Sequence, residues 1–127
     1  MPAIHLLPLG DVPTQLLHRL VAPLEARFAA PVVVEPPEPL RPEWRDSDRG
    51  RYHAAGILAL ARLRPPRPNT AADDDLLFRR ALTETVHELG HLAGLDHCPD
   101  ERCAMYPSRT LEDTDRKAPN SCERCRR

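Results

Sequence analysis

The segment from His87 to His97, which reads HELGHLAGLDH, constrains the fold more than any other part of the chain. Two histidines four residues apart on a helix lie one turn above each other, so His87 and His91 can bind the same metal ion. Gly94 can adopt a positive φ angle and end the helix, which allows the chain to turn back and bring in His97. We therefore predict a zinc site with three histidine ligands and a fourth position open for water, as catalytic zinc sites have.

Glu88 is the other residue of this segment with a chemical role. It is rotated by about 100° from His87 around the helix axis, so it flanks the metal without having to ligate it. A carboxylate in this place can serve as the general base of a hydrolase. The alternative is that these are ordinary buried histidines. A chance match to the whole pattern is expected in roughly a few chains per million, so we favour the metal site.

The helix that carries this motif is the clearest secondary-structure prediction. It begins near Asp73–Asp75, because acidic side chains are favourable at a helix N-terminus, and it continues to about Ala93. Its apolar side chains share one stripe about 120° wide, nearly opposite His87 and His91. We expect the stripe to pack on the core while the histidines face away from it. The stripe consists of Phe78, Leu82, Val86, Leu89, Leu92 and Ala93.

The first part of the chain predicts a β-α-β unit. Residues 3–9 and 32–34 are apolar or β-branched runs that indicate two parallel strands, and a helix over residues 13–30 connects them. Proline-rich connections follow at residues 36–49 and 64–70, and a helix is expected between them over residues 50–63. The apolar positions of the first helix recur at helical spacing and are Leu16, Leu17, Leu20, Val21, Leu24 and Phe28.

The composition narrows the possible partners and the location. The net charge is −1, with 18 basic and 19 acidic residues interspersed, which gives no reason to expect nucleic acid or an anionic membrane as a partner. No apolar run approaches the roughly 18 residues that span a bilayer, and the N-terminus lacks the basic start of a secretory signal. We therefore expect a single domain over residues 1–127, cytoplasmic and monomeric.

Four cysteines lie in the last 30 residues, and the residues alone leave three explanations open. In a reducing compartment they predict a tetrahedral zinc site, whereas in an oxidising compartment they predict two disulfides. A redox pair in the final Cys-x2-Cys is the third explanation, although no thioredoxin-like pattern surrounds it. We favour zinc, because a second metal would stabilise the C-terminal part of a chain with few aromatic residues. The cysteines are Cys98, Cys103, Cys122 and Cys125.

These motifs resemble a known family of metalloproteases. HELGHLAGLDH matches the metzincin signature HExxHxxGxxH. The spacing of the cysteines around Met105, and the segment from Asp113 to Lys117, are similar to the archaemetzincin branch of that clan. The resemblance implies an α+β, zincin-like fold with a reduced, mostly parallel sheet, a zinc-binding helix and a Cys-rich C-terminal segment. It also implies that Met105 packs beneath the metal without binding it, while Tyr106 is expected to pack.

The resemblance also implies a function, that of a zinc metallopeptidase with a peptide or protein substrate. One catalytic zinc would be bound by the three histidines with Glu88 as the general base, and one structural zinc by the four cysteines. Residues 64–72 are too short and too proline-rich for the edge strand with which family members pair an extended substrate. Two alternatives therefore remain open: a non-catalytic zinc-binding domain derived from a metzincin, and a zinc hydrolase of small amides.

Overall fold

The computed structural model describes residues 3–39, 58, 60–65 and 70–126. The chain forms two compact units, Met1–Asp48 and Arg49–Arg127, which are described separately below. Among the described residues, no helix is both long enough and apolar enough to cross a membrane.

The first unit is the predicted β-α-β arrangement. Strand β1 (Ile4–Leu6) is followed by helix α1 (Thr14–Phe28) and strand β2 (Val32–Val34). The strands pair in parallel, with Ile4 opposite Val32, and α1 packs against β2. The pairing confirms the parallel arrangement, and both strands are short. The side chains of α1 that are buried recur at the helical spacing that the sequence predicted, and they are Leu16, Leu20 and Leu24.

The second unit is built around helix α2 (Ala71–Leu92), which carries the first two histidines of the motif. Thr70 caps its N-terminus, because the Thr70 hydroxyl oxygen accepts a hydrogen bond from the backbone N–H of Asp73 at 3.1 Å. The helix therefore begins two residues before the predicted start. A short 3-10 helix, Leu60–Leu63, precedes it. It is the described end of the helix expected over residues 50–63, most of which lies outside the described residues.

The predicted core-facing stripe of α2 was wrong. Of its six members only Val86 is buried, while Leu92 and Ala93 are exposed. The buried face lies instead on the histidine side, because that side packs against the C-terminal segment through hydrogen bonds. Periodicity detects apolar stripes, and this buried face is partly polar. The buried residues are Leu77, Arg80, Ala81, Thr83, Val86, His87 and Gly90.

The C-terminal segment contains helix α3 (Leu111–Arg116) and a final 3-10 turn, Glu123–Arg126. Thr110 and Asp113 form a reciprocal capping box at the start of α3, which fixes this short helix in place. Helix α3 packs on α2, where Arg80 makes a bidentate ion pair with Asp115 at 2.8 Å for both hydrogen bonds. The buried Arg80 guanidinium makes a further hydrogen bond, because it also donates to the Leu63 carbonyl at 3.0 Å.

Candidate metal centres

The end of α2 is a Schellman turn that redirects the chain after His91. The backbone N–H of Leu95 donates to the Gly90 carbonyl at 2.9 Å, and the N–H of Gly94 donates to the His91 carbonyl at 3.0 Å. Gly94 has a φ angle of 94°, which an L-residue side chain would disfavour. The predicted role of this glycine is thus confirmed. The turn brings the following residues back toward the histidine face of the helix.

Three imidazole rings meet at this turn. The ring centroids of His87 and His91 are 4.6 Å apart, and the ring of His97 lies 5.4 Å and 4.9 Å from them. One nitrogen from each ring lies within 4.8 Å of the others. His87 is buried, His91 is half-buried and His97 is exposed. The structure therefore brings all three predicted ligands together at the C-terminal end of α2.

Hydrogen bonds fix which nitrogen of each helical histidine faces the centre. Nδ1 of His87 lies 2.7 Å from the Ala104 carbonyl oxygen, and Nδ1 of His91 lies 2.9 Å from the Leu95 carbonyl oxygen. Carbonyl oxygens only accept, so each Nδ1 carries the hydrogen and each Nε2 of a neutral ring has a lone pair. The two Nε2 atoms face each other at 3.0 Å.

Two lone pairs at this distance repel unless a cation lies between them. A metal ion bound by both Nε2 atoms removes the repulsion, and a carbonyl on the opposite ring nitrogen is the usual partner of a metal-binding histidine. Burial lowers the pKa of His87, and the hydrogen bond to Ala104 opposes this only in part. His87 is therefore held in the neutral form that binds metals. The donor set and its hydrogen bonds fit zinc, for which imidazole is a preferred ligand.

Glu88 follows His87 on α2 and is half-buried. Met105 is fully buried, and its side chain packs against Gly90 of the same helix. It also contacts a small core formed with Leu95, Cys98 and Cys103. Met105 thus lies between the histidine-bearing helix and the cysteines.

The four cysteines form a second cluster beside the first. All four thiols are free, and their sulfur atoms lie within 4.8 Å of one another. The Sγ atoms of Cys98 and Cys122 are 3.8 Å apart, far longer than the disulfide bond of about 2.05 Å. Sulfur atoms bound tetrahedrally to one zinc ion at about 2.3 Å lie about 3.8 Å apart. The arrangement fits a shared metal rather than two disulfides.

The surroundings of the cysteine sulfurs shift their pKa values in opposite directions. A hydrogen bond with the backbone of Cys125 lowers the pKa of the Cys122 thiol to about 7. Burial raises the pKa of Cys98, and it raises the pKa of Cys125 to about 12. Backbone N–H groups of Met105 and Cys122 donate to the sulfur of Cys103 at 3.5 Å and 3.2 Å. Such donors stabilise the negative charge that metal-bound sulfur carries.

Comparison with known proteins assigns the family. The sequence profile of Peptidase family M54 matches residues 48–127. The chain belongs to this family. Among the curated relatives, the archaemetzincin of Thermococcus kodakarensis is 42% identical over 58% of this chain and 39% of its own length. That of Pyrococcus abyssi is 46% identical over 56% of this chain and 38% of its own length. The chain thus spans about two fifths of these relatives in the matched regions.

One further relative and two solved structures match nearly the whole chain. The archaemetzincin of Halobacterium salinarum is 27% identical over 98% of this chain and 97% of its own length. The solved structure of archaemetzincin from Archaeoglobus fulgidus, complexed with malonate, gives a TM-score of 0.76 at 23% identity, covering 99% and 98% of the two chains. A zinc-dependent peptidase from Methanocorpusculum labreanum gives 0.74 at 22% identity, covering 97% of each chain. The expected zincin-like fold of the archaemetzincin type is confirmed.

Sequence reasoning missed two residues beside the histidine cluster, Gly90 and Lys117. Gly90 offered a signal, because a glycine inside a helical pattern costs about 1 kcal/mol relative to alanine and usually has a packing reason. Here that reason is Met105. Lys117 gave no such signal, since a lysine in a charged segment is normally exposed. Its side chain is fully buried.

Proposed function

We propose that this chain is a zinc-dependent metallopeptidase that hydrolyses peptide bonds with His87, His91 and His97 as zinc ligands. The observation that carries the proposal is the pair of Nε2 atoms facing each other at 3.0 Å, with both Nδ1 atoms engaged by carbonyls. Membership of a peptidase family supports it independently. Zinc, when bound there, lowers the pKa of a bound water to about 7 and polarises a carbonyl group.

The protein's own residues divide the remaining work. Glu88 accepts the proton of the attacking water and returns it to the leaving amine, the usual role of a carboxylate beside such a site. His87 and His91 are held in one tautomer by the Ala104 and Leu95 carbonyls, so they need no reorganisation to bind the ion. Met105 supports the helix from the buried side without contributing a ligand.

The cysteine cluster would hold a second, structural zinc, for a total of two ions per chain. Four protein ligands leave no open position, and this is the pattern of structural rather than catalytic sites. The cluster joins the segment after α2 to the C-terminal turn, because Cys98 lies in the first of these stretches and Cys125 in the second. Free thiols as ligands require a reducing compartment, so we propose a cytoplasmic protein that acts as a monomer on a peptide or protein.

A second candidate function is a zinc-binding domain without activity. Two observations favour it. The chain covers only 38–39% of the length of two curated relatives, and the connection before α2 is short. A hydrolase of small amides is a third, since a compact substrate needs no edge strand. Glu88 argues against the inactive domain, because a purely structural site has no need of a carboxylate next to a ligand.

The substitution Glu88→Gln tests the proposal. It removes the base, keeps the shape and leaves all three proposed ligands in place. We expect both metals and the thermal midpoint to be retained, while hydrolysis of peptides and small amides falls by at least about 10²-fold. Glu112→Gln removes a carboxylate from an exposed position of α3 and serves as the matched control, with unchanged activity expected.

The outcome separates the three candidates. Hydrolysis of peptides that disappears in Glu88→Gln supports the peptidase, whereas hydrolysis of small amides alone supports the third candidate. Absence of hydrolysis in the unsubstituted protein with zinc bound supports the inactive domain. Activity that survives in Glu88→Gln would exclude Glu88 as the base.

A further inference from the structure

Lys117 is fully buried, which is rare for a lysine, and it follows directly after α3. Its ammonium group donates to the Tyr106 carbonyl at 2.8 Å and to the Ala104 carbonyl at 3.2 Å. It also forms an ion pair with the Glu84 carboxylate at 3.1 Å. An ammonium group has three N–H donors, so these three partners use all of them.

The Ala104 carbonyl connects Lys117 to the histidine cluster. The same oxygen accepts the Nδ1 hydrogen of His87 at 2.7 Å. Lys117 donates hydrogen bonds to the carbonyls on both sides of Met105, so the position of this short stretch depends on the lysine. The oxygen that sets the tautomer and orientation of His87 therefore also accepts a hydrogen bond from a buried cation.

The counter-charge of Lys117 lies on the helix that carries the ligand. Glu84 is one turn before His87 on α2, and its Oε1 atom accepts hydrogen bonds from Ser108 at 3.2 Å and Thr114 at 3.1 Å. A buried charge pair persists only where its remaining hydrogen-bonding groups are satisfied, which these hydroxyls accomplish. Lys117 and His87 are therefore tied to each other by two routes, the carbonyl of Ala104 and the backbone of α2.

We infer that Lys117 is a positioning residue for His87, acting through the Ala104 carbonyl to fix the ring in its metal-binding orientation. The inference rests on the proposed zinc ligation by His87. Groups that orient a metal-binding histidine affect the metal even though they do not touch it, and their loss typically weakens metal affinity by about 10- to 100-fold. Lys117 is one hydrogen bond further from the metal than the Ala104 carbonyl is, and its ammonium group carries a full positive charge.

The chain offers a matched control. Arg80 and Asp115 form another ion pair between α2 and the C-terminal segment, and Arg80 is also buried. Arg80 lies about two turns before His87, and its hydrogen bonds go to Asp115 and Leu63 rather than to the stretch around Met105. A role that is only structural would make the two pairs equivalent in every measurement.

The experiment compares zinc affinities of the histidine cluster in the full chain by chelator competition, with the cysteine cluster kept loaded. Lys117→Met should weaken zinc binding at the histidines by about 10- to 100-fold. Arg80→Met should lower stability yet leave the zinc affinity within about twofold. With no metal at the histidines, ¹⁵N NMR of the unsubstituted protein should show His87 with its hydrogen on Nδ1, and Lys117→Met should mix the two tautomers.

A second variant addresses the risk that Lys117→Met fails to fold. It leaves the half-buried Glu84 carboxylate charged and without its ammonium partner, which is the costly half of breaking such a pair. The double variant Lys117→Met with Glu84→Gln removes both charges and keeps an acceptor for Ser108 and Thr114. It should fold, and its zinc affinity should remain reduced by about 10- to 100-fold.

The results distinguish this inference from the proposed function. If the unsubstituted protein binds zinc at the histidines and the double variant binds it equally well, Lys117 has no positioning role. An equal loss in Arg80→Met would likewise overturn the inference, because any weakening of the fold would then suffice. If the unsubstituted protein binds no zinc at the histidines, the proposed function fails and this inference fails with it.

Discussion

Gly90 lies inside α2 between the two helical histidines, and Gly90→Ala tests how tightly Met105 is fitted beneath them. An added Cβ would overlap the Sδ atom of Met105 and would lie 3.1 Å from its Cε atom and 3.6 Å from Cδ1 of Leu95. The sulfur is in the middle of the side chain, so a rotation at its end would not relieve the overlap. Met105 is fully buried and is surrounded by the helix and the cysteine core.

Two opposing effects determine the change in the free energy of unfolding. Replacing glycine by alanine inside a helix is normally stabilising by about 1 kcal/mol. Overpacking a filled core costs about 1–3 kcal/mol, and a direct overlap with an immobile side chain falls at the upper end of that range. The cost of the overlap should therefore exceed the gain in helix propensity, with a net destabilisation of about 2 kcal/mol. Zinc affinity at the histidines should fall as well, since Met105 packs at Gly90, on the stretch of helix between His87 and His91.

Denaturant titration of Gly90→Ala, with the unsubstituted protein and Met105→Ala as references, measures this effect. Met105→Ala removes the obstructing atoms, so in that background Gly90→Ala should become neutral or stabilising by up to about 1 kcal/mol. The coupling energy of this double-mutant cycle isolates the contact between the two positions. If Gly90→Ala is as stable as the unsubstituted protein, the packing argument is refuted.

The remaining predictions concern the metals and pH. Elemental analysis of protein made under reducing conditions should give two zinc ions per chain, and His97→Ala should release only the ion at the histidines; a single ion with the cysteines oxidised in pairs would contradict this. Burial lowers the pKa of His87 below 6.5, so the unfolded chain binds a proton more readily than the folded chain. With the histidine site emptied by chelator, the free energy of unfolding should therefore decrease as the pH falls below 6.5, until the folded-state pKa is passed. His87→Gln should reduce this slope in denaturant titrations, and an unchanged slope would show that another group causes it.

The parts of the fold that the sequence predicted are those that short-range patterns determine. The β-α-β unit follows from two β-branched or apolar runs and one amphipathic helix, and each was found within a few residues of its predicted place. The end of α2 followed from Gly94, because a positive φ angle is a local property of glycine. The convergence of three histidines then required only the geometry of one helix and one turn.

The buried face of α2 could not be predicted from the same patterns. Periodicity assumes that apolar side chains face the core, whereas this helix buries Arg80, Thr83 and His87. The burial of Arg80 and His87 depends on partners far along the chain, namely Asp115 and the Ala104 carbonyl. Likewise, nothing in the charged stretch around Lys117 indicated that this lysine would be buried. Buried polar side chains are stabilised by hydrogen-bond partners that are distant in the sequence, and a single sequence does not indicate which residues will be partners.

His97 differs from the other two proposed ligands, because it is exposed and lies outside the helix. Its place is determined by its neighbours on both sides. The Schellman turn at Gly94 fixes the chain before it, and the N–H of Cys98 donates to the Met105 carbonyl at 3.0 Å directly after it. His97 and Cys98 are adjacent in sequence but belong to different clusters, so the cysteine core limits where an exposed ligand can lie. A ligand held in this way needs little burial of its own, which keeps the open side of the histidine site accessible to water.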